Sequence, residues 1–60
     1  MTTEILQVQG VAVRVTYSDT AHKERLIIKA NELLSAGHSW WDSEDQDGGF
    51  FFDRAAPPQS

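Results

Sequence analysis

The chain has 60 residues, no cysteine and a formal charge of −4, with 40% apolar side chains. That length admits one domain near the lower limit for folding on a core alone, and without thiols neither a disulfide framework nor a thiolate zinc site can staple it. No apolar run reaches the roughly 20 residues of a membrane span. The start, MTTEILQVQG, lacks the basic and long apolar regions of a secretory signal, so a soluble, cytoplasmic protein is expected.

The first predicted element is a β-hairpin over EILQVQGVAVRVTY, residues 4–17. Val11, Val13, Val15 and Tyr17 alternate with Ala12, Arg14 and Thr16, the period of a half-buried strand. A two-residue turn at Gln9-Gly10 sets Val8 opposite Val11 and Leu6 opposite Val13. That register gathers Leu6, Val8, Val11, Val13, Val15 and Tyr17 on one face. It leaves Ile5, Gln7, Ala12, Arg14 and Thr16 on the other.

Residues 18–37, SDTAHKERLIIKANELLSAG, follow as a helix. Ser18, Asp19 and Thr20 offer N-cap oxygens, and Gly37 suits the C′ position. Leu26, Ile27, Ala30, Leu33 and Leu34 make one stripe at helical spacing. Ile28 lies off that stripe, near Ala21 and Ser35.

A second hairpin is predicted over SWWDSEDQDGGFFFDR, residues 39–54, with turn chemistry at Asp47-Gly48-Gly49. Alternation forbids Trp40 and Trp41 from sharing a face, and it separates Phe51 from Phe50 and Phe52. Phe50, Phe52 and one tryptophan are therefore expected beneath the helix, with the other tryptophan and Phe51 on the open face. The domain is expected to span 1–54 and to be followed by a mobile tail, AAPPQS, at 55–60.

The whole predicts an α+β fold of order ββαββ, a four-stranded sheet covered on one face by a single helix. A helix crossover between hairpins favours the first and last strands side by side at the sheet centre, a β-grasp-like arrangement. A three-stranded ββαβ sheet with a loose C-terminal segment is the alternative. In element order alone, the chain resembles the small immunoglobulin-binding domains of streptococcal surface proteins. No binding motif is shared, so no function follows from that resemblance.

Enzyme chemistry finds little support. The two histidines, His22 and His38, lie at opposite ends of the helix, and no glycine loop or paired-carboxylate cleft accompanies them. A sheet with one helix has little room for a substrate pocket. No catalytic residue, metal or cofactor is called for. DSEDQDGG resembles a calcium loop only in part. With Gly48 aligned to the invariant glycine, Ser43, Asp45 and Asp47 take ligand positions, but Arg54 falls where the bidentate glutamate belongs.

Charge is unevenly placed. Asp42, Glu44, Asp45, Asp47 and Asp53, five of the nine acids, lie between 42 and 53, while Arg14, Lys23, Arg25 and Lys29, four of the five bases, precede residue 30. His22, Arg25 and Lys29 form a helix ridge too sparse for strong phosphate binding, so nucleic acid is not the expected partner, and nucleic-acid binding through that ridge ranks as the weaker alternative. The expected activity is docking on another protein with a basic surface, through Trp40, Trp41, Asp42, Glu44, Asp45, Asp47 and Phe51. One form of this is an acidic inhibitor that fills a nucleic-acid groove by imitating its charge. Phage-encoded and mobile-element anti-defence proteins are similar to it in size and charge. A homo-oligomeric accessory role, covering Ile28 and an open strand edge with a second copy, is the alternative.

Overall fold

A computed structural model describes residues 1–55. The elements run β1 (Thr2–Val8), β2 (Val11–Tyr17), α1 (Thr20–Ser35), β3 (Trp40–Asp45) and β4 (Gly48–Asp53). They form the expected α+β layers: one helix on one four-stranded antiparallel sheet. The expected tail lies, beyond Ala55, outside the described residues.

The first hairpin has the register its sequence predicts, with Val8 opposite Val11 and Leu6 opposite Val13. Gln9 (φ 52°) and Gly10 (φ 76°) both carry positive φ, the requirement of a type I′ turn, whose twist suits the flanking strands. Glutamine is an uncommon first residue there, and its side chain explains it. Gln9 Nε2 donates to Asn31 Oδ1 (2.6 Å), Ser35 Oγ (2.7 Å) and the Asn31 carbonyl (3.1 Å), which ties the turn to the helix.

The helix begins at Asp19, whose carboxylate accepts the His22 N–H at 2.9 Å. It ends in a Schellman pair: His38 N–H donates to Leu33 and Gly37 N–H to Leu34, both at 3.1 Å, which satisfies carbonyls the helix leaves open. Arg54 Nη2 also donates to the Leu34 carbonyl at 2.9 Å, a cation at the negative end of the helix.

Strand order corrects the β-grasp-like expectation. The sheet runs β1-β2-β4-β3, so β2 and β4 hold the centre and β1 lies at an edge. Burial accounts for this. Val13, Val15 and Phe52 are fully buried and Phe50 nearly so, whereas Thr2, Thr3 and Gln7 of β1 are exposed. Central strands are covered on both flanks, and the two most apolar strands take those places.

Two glycines make the centre possible. At Gly48 (φ 121°) a β-carbon would overlap the Thr16 carbonyl oxygen and come within 2.8 Å of its carbon; at Gly49 it would overlap the Ser43 carbonyl, 2.7 Å from its carbon. The start of β4 thus threads between β2 and β3 as bare backbone. The expected turn at Asp47-Gly48-Gly49 shifts accordingly: Asp45 pairs with Gly48, so Gln46-Asp47 form the turn and the glycines belong to the strand.

The core is Val8, Val13, Val15, Ala30, Leu34, Phe50 and Phe52, with Leu6, Val11, Tyr17, Leu26, Ile27, Leu33 and Trp41 packed around it. Phe50 and Phe52 stack at 6.3 Å and 8°. The helix rests mainly on β2, then on β4 and β1. β3 lies outside that main footprint, so Trp41 is only half-buried.

Candidate functional site

Strand parity decides which side chains meet on the open face. Trp41 lies opposite Phe52 and Ser43 opposite Phe50, so both point to the helix side. Trp40, Asp42 and Glu44 therefore point away from the helix, together with Phe51 and Asp53 of β4 and Arg14 of β2. The tryptophan pair is thus divided. Trp41 packs against the core, and Trp40 is 58% exposed on the open face.

A row crosses the sheet as Ile5, Arg14, Phe51 and Asp42. The Arg14 guanidinium carbon lies 5.3 Å from the Phe51 ring centroid, so Phe51 is half-buried under a cation. Trp40 pairs with Asp53 and lies diagonal to Phe51. The next row is Thr3, Thr16, Gly49 and Glu44. Because Gly49 has no side chain, a depression opens between Arg14, Asp42, Glu44 and Phe51, with a cavity volume of about 20 Å³. That is room for about one water, far below the several hundred Å³ of a small-molecule site.

On the helix side of β3, Trp41 Nε1 donates to Ser43 Oγ at 3.0 Å. The His38 ring meets Trp41 edge-on, 5.6 Å between centroids at 85°. A more open groove of about 240 Å³, lined by His38, Trp40, Trp41 and Asp42, straddles the start of β3.

The remaining predicted acids are elsewhere. Asp45 Oδ1 accepts the Asp47 N–H at 2.9 Å and so shapes the turn, as aspartates do in Asx-turns. Asp47 Oδ2 lies 3.8 Å from His22 Nε2, and Asp19 Oδ1 lies 3.1 Å from His22 Nδ1. The structure therefore brings together Trp40, Asp42, Glu44 and Phe51 on the open face, sets Asp45 and Asp47 apart from them, and leaves Trp41 on the helix side, meeting Trp40 and Asp42 only at the groove. Two carboxylates flank His22, which removes one end of the basic helix ridge. Among the described residues, no three His, Asp or Glu side chains gather in a metal-binding group. Of the partial calcium loop, Ser43 and Asp45 already accept internal hydrogen bonds.

Three participants were missed in the sequence: Arg14, His38 and Asp53. Alternation from Phe51 was enough to place Asp53 on the same face. Arg14 needed the β2–β4 pairing, and His38 needed the helix to stop short of β3.

A second polar cluster ties the β1 edge to the helix. Tyr17 Oη donates to Glu4 Oε1, and Lys23 Nζ donates to both Glu4 oxygens at 3.2 and 3.4 Å. The tyrosine hydrogen bond, then the lysine, hold the Glu4 carboxyl below the ordinary glutamate range; the same contacts with Glu4 raise Tyr17 and Lys23. The His22 N–H chiefly holds Asp19 below the ordinary aspartate range. Folded pKa values of Glu4 and Asp19 below the unfolded ones mean stabilisation that is present above the unfolded values and lost as pH falls through the folded ones. Melts from pH 7 down through the carboxylate range should lose stability more steeply in the wild type than in a Glu4→Gln/Asp19→Asn variant. Equal slopes would remove these contacts from the acid response.

No protein-family model, curated protein or solved structure matches the chain.

Proposed function

We propose that the chain is a small, non-enzymatic binding module that docks through the open face of its β3–β4 hairpin onto a basic surface of another protein. One observation carries this: Trp40 stands 58% exposed on the same face as Asp42 and Glu44. Tryptophan anchors are over-represented among the residues that dominate interface energies, and flanking carboxylates steer a basic partner and fix its orientation. The net charge of −4 favours the same class of partner. In its most specific form, the partner surface is a nucleic-acid groove and the module inhibits by occupying it, in the manner of anti-defence proteins of phages and mobile elements.

The test is capture from nuclease-treated host extract with three baits. Wild type and an Asp45→Asn/Asp47→Asn variant are expected to retain the same protein, and an Asp42→Asn/Glu44→Gln variant to lose it. Retention by all three baits, or loss with the Asp45/Asp47 variant alone, would sink the assignment to the open face. Release of the captured protein by added DNA or RNA would support the groove-filling form.

Self-association is the second reading, favoured by Ile28 at 59% exposure on the helix. It predicts a mass that rises with concentration and falls with Ile28→Ser.

A further inference from the structure

We propose that the outer edge of β3 receives an extended, arginine-bearing segment of the partner as an added strand, with one guanidinium seated in the groove between His38, Trp40, Trp41 and Asp42. This rests on the docking function proposed above and names the chemistry of what docks. The strand order leaves β3 hydrogen-bonded to β4 on one side only. Among the described residues, no strand pairs with its other side. An unpaired row of backbone N–H and C=O groups is a template for strand addition.

The groove decides the side chain. It crosses the edge itself, because Trp40 and Trp41 leave β3 on opposite faces and both line it, Trp41 being only half-buried. Its volume of about 240 Å³ suits one side chain rather than a drug-sized ligand. Two indoles, an imidazole and the Asp42 carboxylate match a planar cation, which can stack on an aromatic face while donating to a carboxylate. The sheet already holds that chemistry one strand further in, where Arg14 lies over Phe51 with Asp42 on the ring's other flank.

Charge complementarity selects the occupant. Asp42, Glu44 and Asp45 all lie within β3. A second copy pairing through this edge would set those acids against the same acids, and like charges across a ladder are destabilising. A nucleic-acid backbone meets the same repulsion. A basic strand meets neither.

The probe is a capped peptide of eight residues alternating threonine and arginine, titrated against 15N-labelled protein. Two control peptides carry citrulline in place of arginine, or N-methyl groups on alternate backbone amides. The arginine peptide is expected to shift amides of residues 40–45 and to quench tryptophan fluorescence. Affinity should fall about tenfold, between the exposed and the desolvated cases of a cation–π contact, with Trp40→Ala or with citrulline. It should also fall with N-methylation. Trp40 is largely exposed, so the variant should keep the wild-type circular dichroism spectrum. Equal binding of the citrulline peptide, or shifts confined to β1 or the helix, would overturn the proposal. Absence of peptide binding while Asp42→Asn/Glu44→Gln still abolishes capture would overturn strand addition and leave the docking face standing. Absence of both effects would remove the two together.

Discussion

Gly49→Ala is expected to abolish the cooperative unfolding transition, one of the largest effects a single methyl can have in this chain. The added β-carbon would overlap the Ser43 carbonyl and lie 2.5 Å from the Glu44 Cα. Both are backbone atoms of a paired strand, so no rotamer change can relieve the contact. Overpacking against side chains already costs about 1–3 kcal/mol, and against backbone the relief must come from separating β3 from β4. A domain of this length has about 3–9 kcal/mol in total. Gly10→Ala is the control: its β-carbon meets nothing within 4 Å, and only the left-handed φ is strained, at about 1–2 kcal/mol. Urea titrations should show a shifted but cooperative transition for Gly10→Ala and none for Gly49→Ala. A Gly49→Ala midpoint close to that of Gly10→Ala would mean that β3 does not lie where the structure puts it.

Phe52→Ala should come next. Phe52 is fully buried, stacked on Phe50 and paired with both Val13 and Trp41. Phenylalanine truncation in a core costs about 3–5 kcal/mol, most of what this domain has to spend. The variant is expected to be substantially unfolded at 25 °C, with near-UV circular dichroism lost. Phe51→Ala, one residue away on the open face, removes a half-buried ring covered by Arg14 and should keep a two-state melt. If Phe51→Ala were the more damaging of the two, the assignment of faces along β4 would be inverted, and the exposed face with Trp40 would invert with it.

In the first hairpin, the turn at Gln9-Gly10 and the valine alternation agree, and each alone implies the same register. The helix ends were legible because caps are local: Asp19 and Gly37 act within a few residues of themselves. Strand order was not legible, because it depends on which strands tolerate neighbours on both flanks, a non-local competition that element order does not encode. Gly48-Gly49 carried the clue, but as a dipeptide it matches a turn as well as a close backbone approach. The same ambiguity hid which tryptophan turns inward. With the turn at Gln46-Asp47, Asp45 must pair with Gly48, Trp41 then falls opposite Phe52, and Trp40 goes outward. A loop one residue longer, Asp47-Gly48-Gly49 closed by Gln46 and Phe50, reverses that parity. For the candidate site, the composition was legible and the grouping was not, since of four neighbouring acids Asp42 and Glu44 line the open face of β3 while Asp45 and Asp47 belong to the turn.

The central seam also bears on when the protein can fold. It joins Val13 to Phe52 and Val15 to Phe50, partners drawn from opposite ends of the domain. The first hairpin can close on its own within microseconds and the helix can settle on β2, but the core lacks Phe50 and Phe52 until β4 arrives between β2 and β3. Non-local pairing of this kind slows folding. It also means that the valines of β2 gain their aromatic neighbours only once β4 has been made. Until then the nascent chain leaves the β4-facing edge of its most apolar strand unpaired, which makes the interval between synthesis of β2 and emergence of β4 the period when a chaperone matters most.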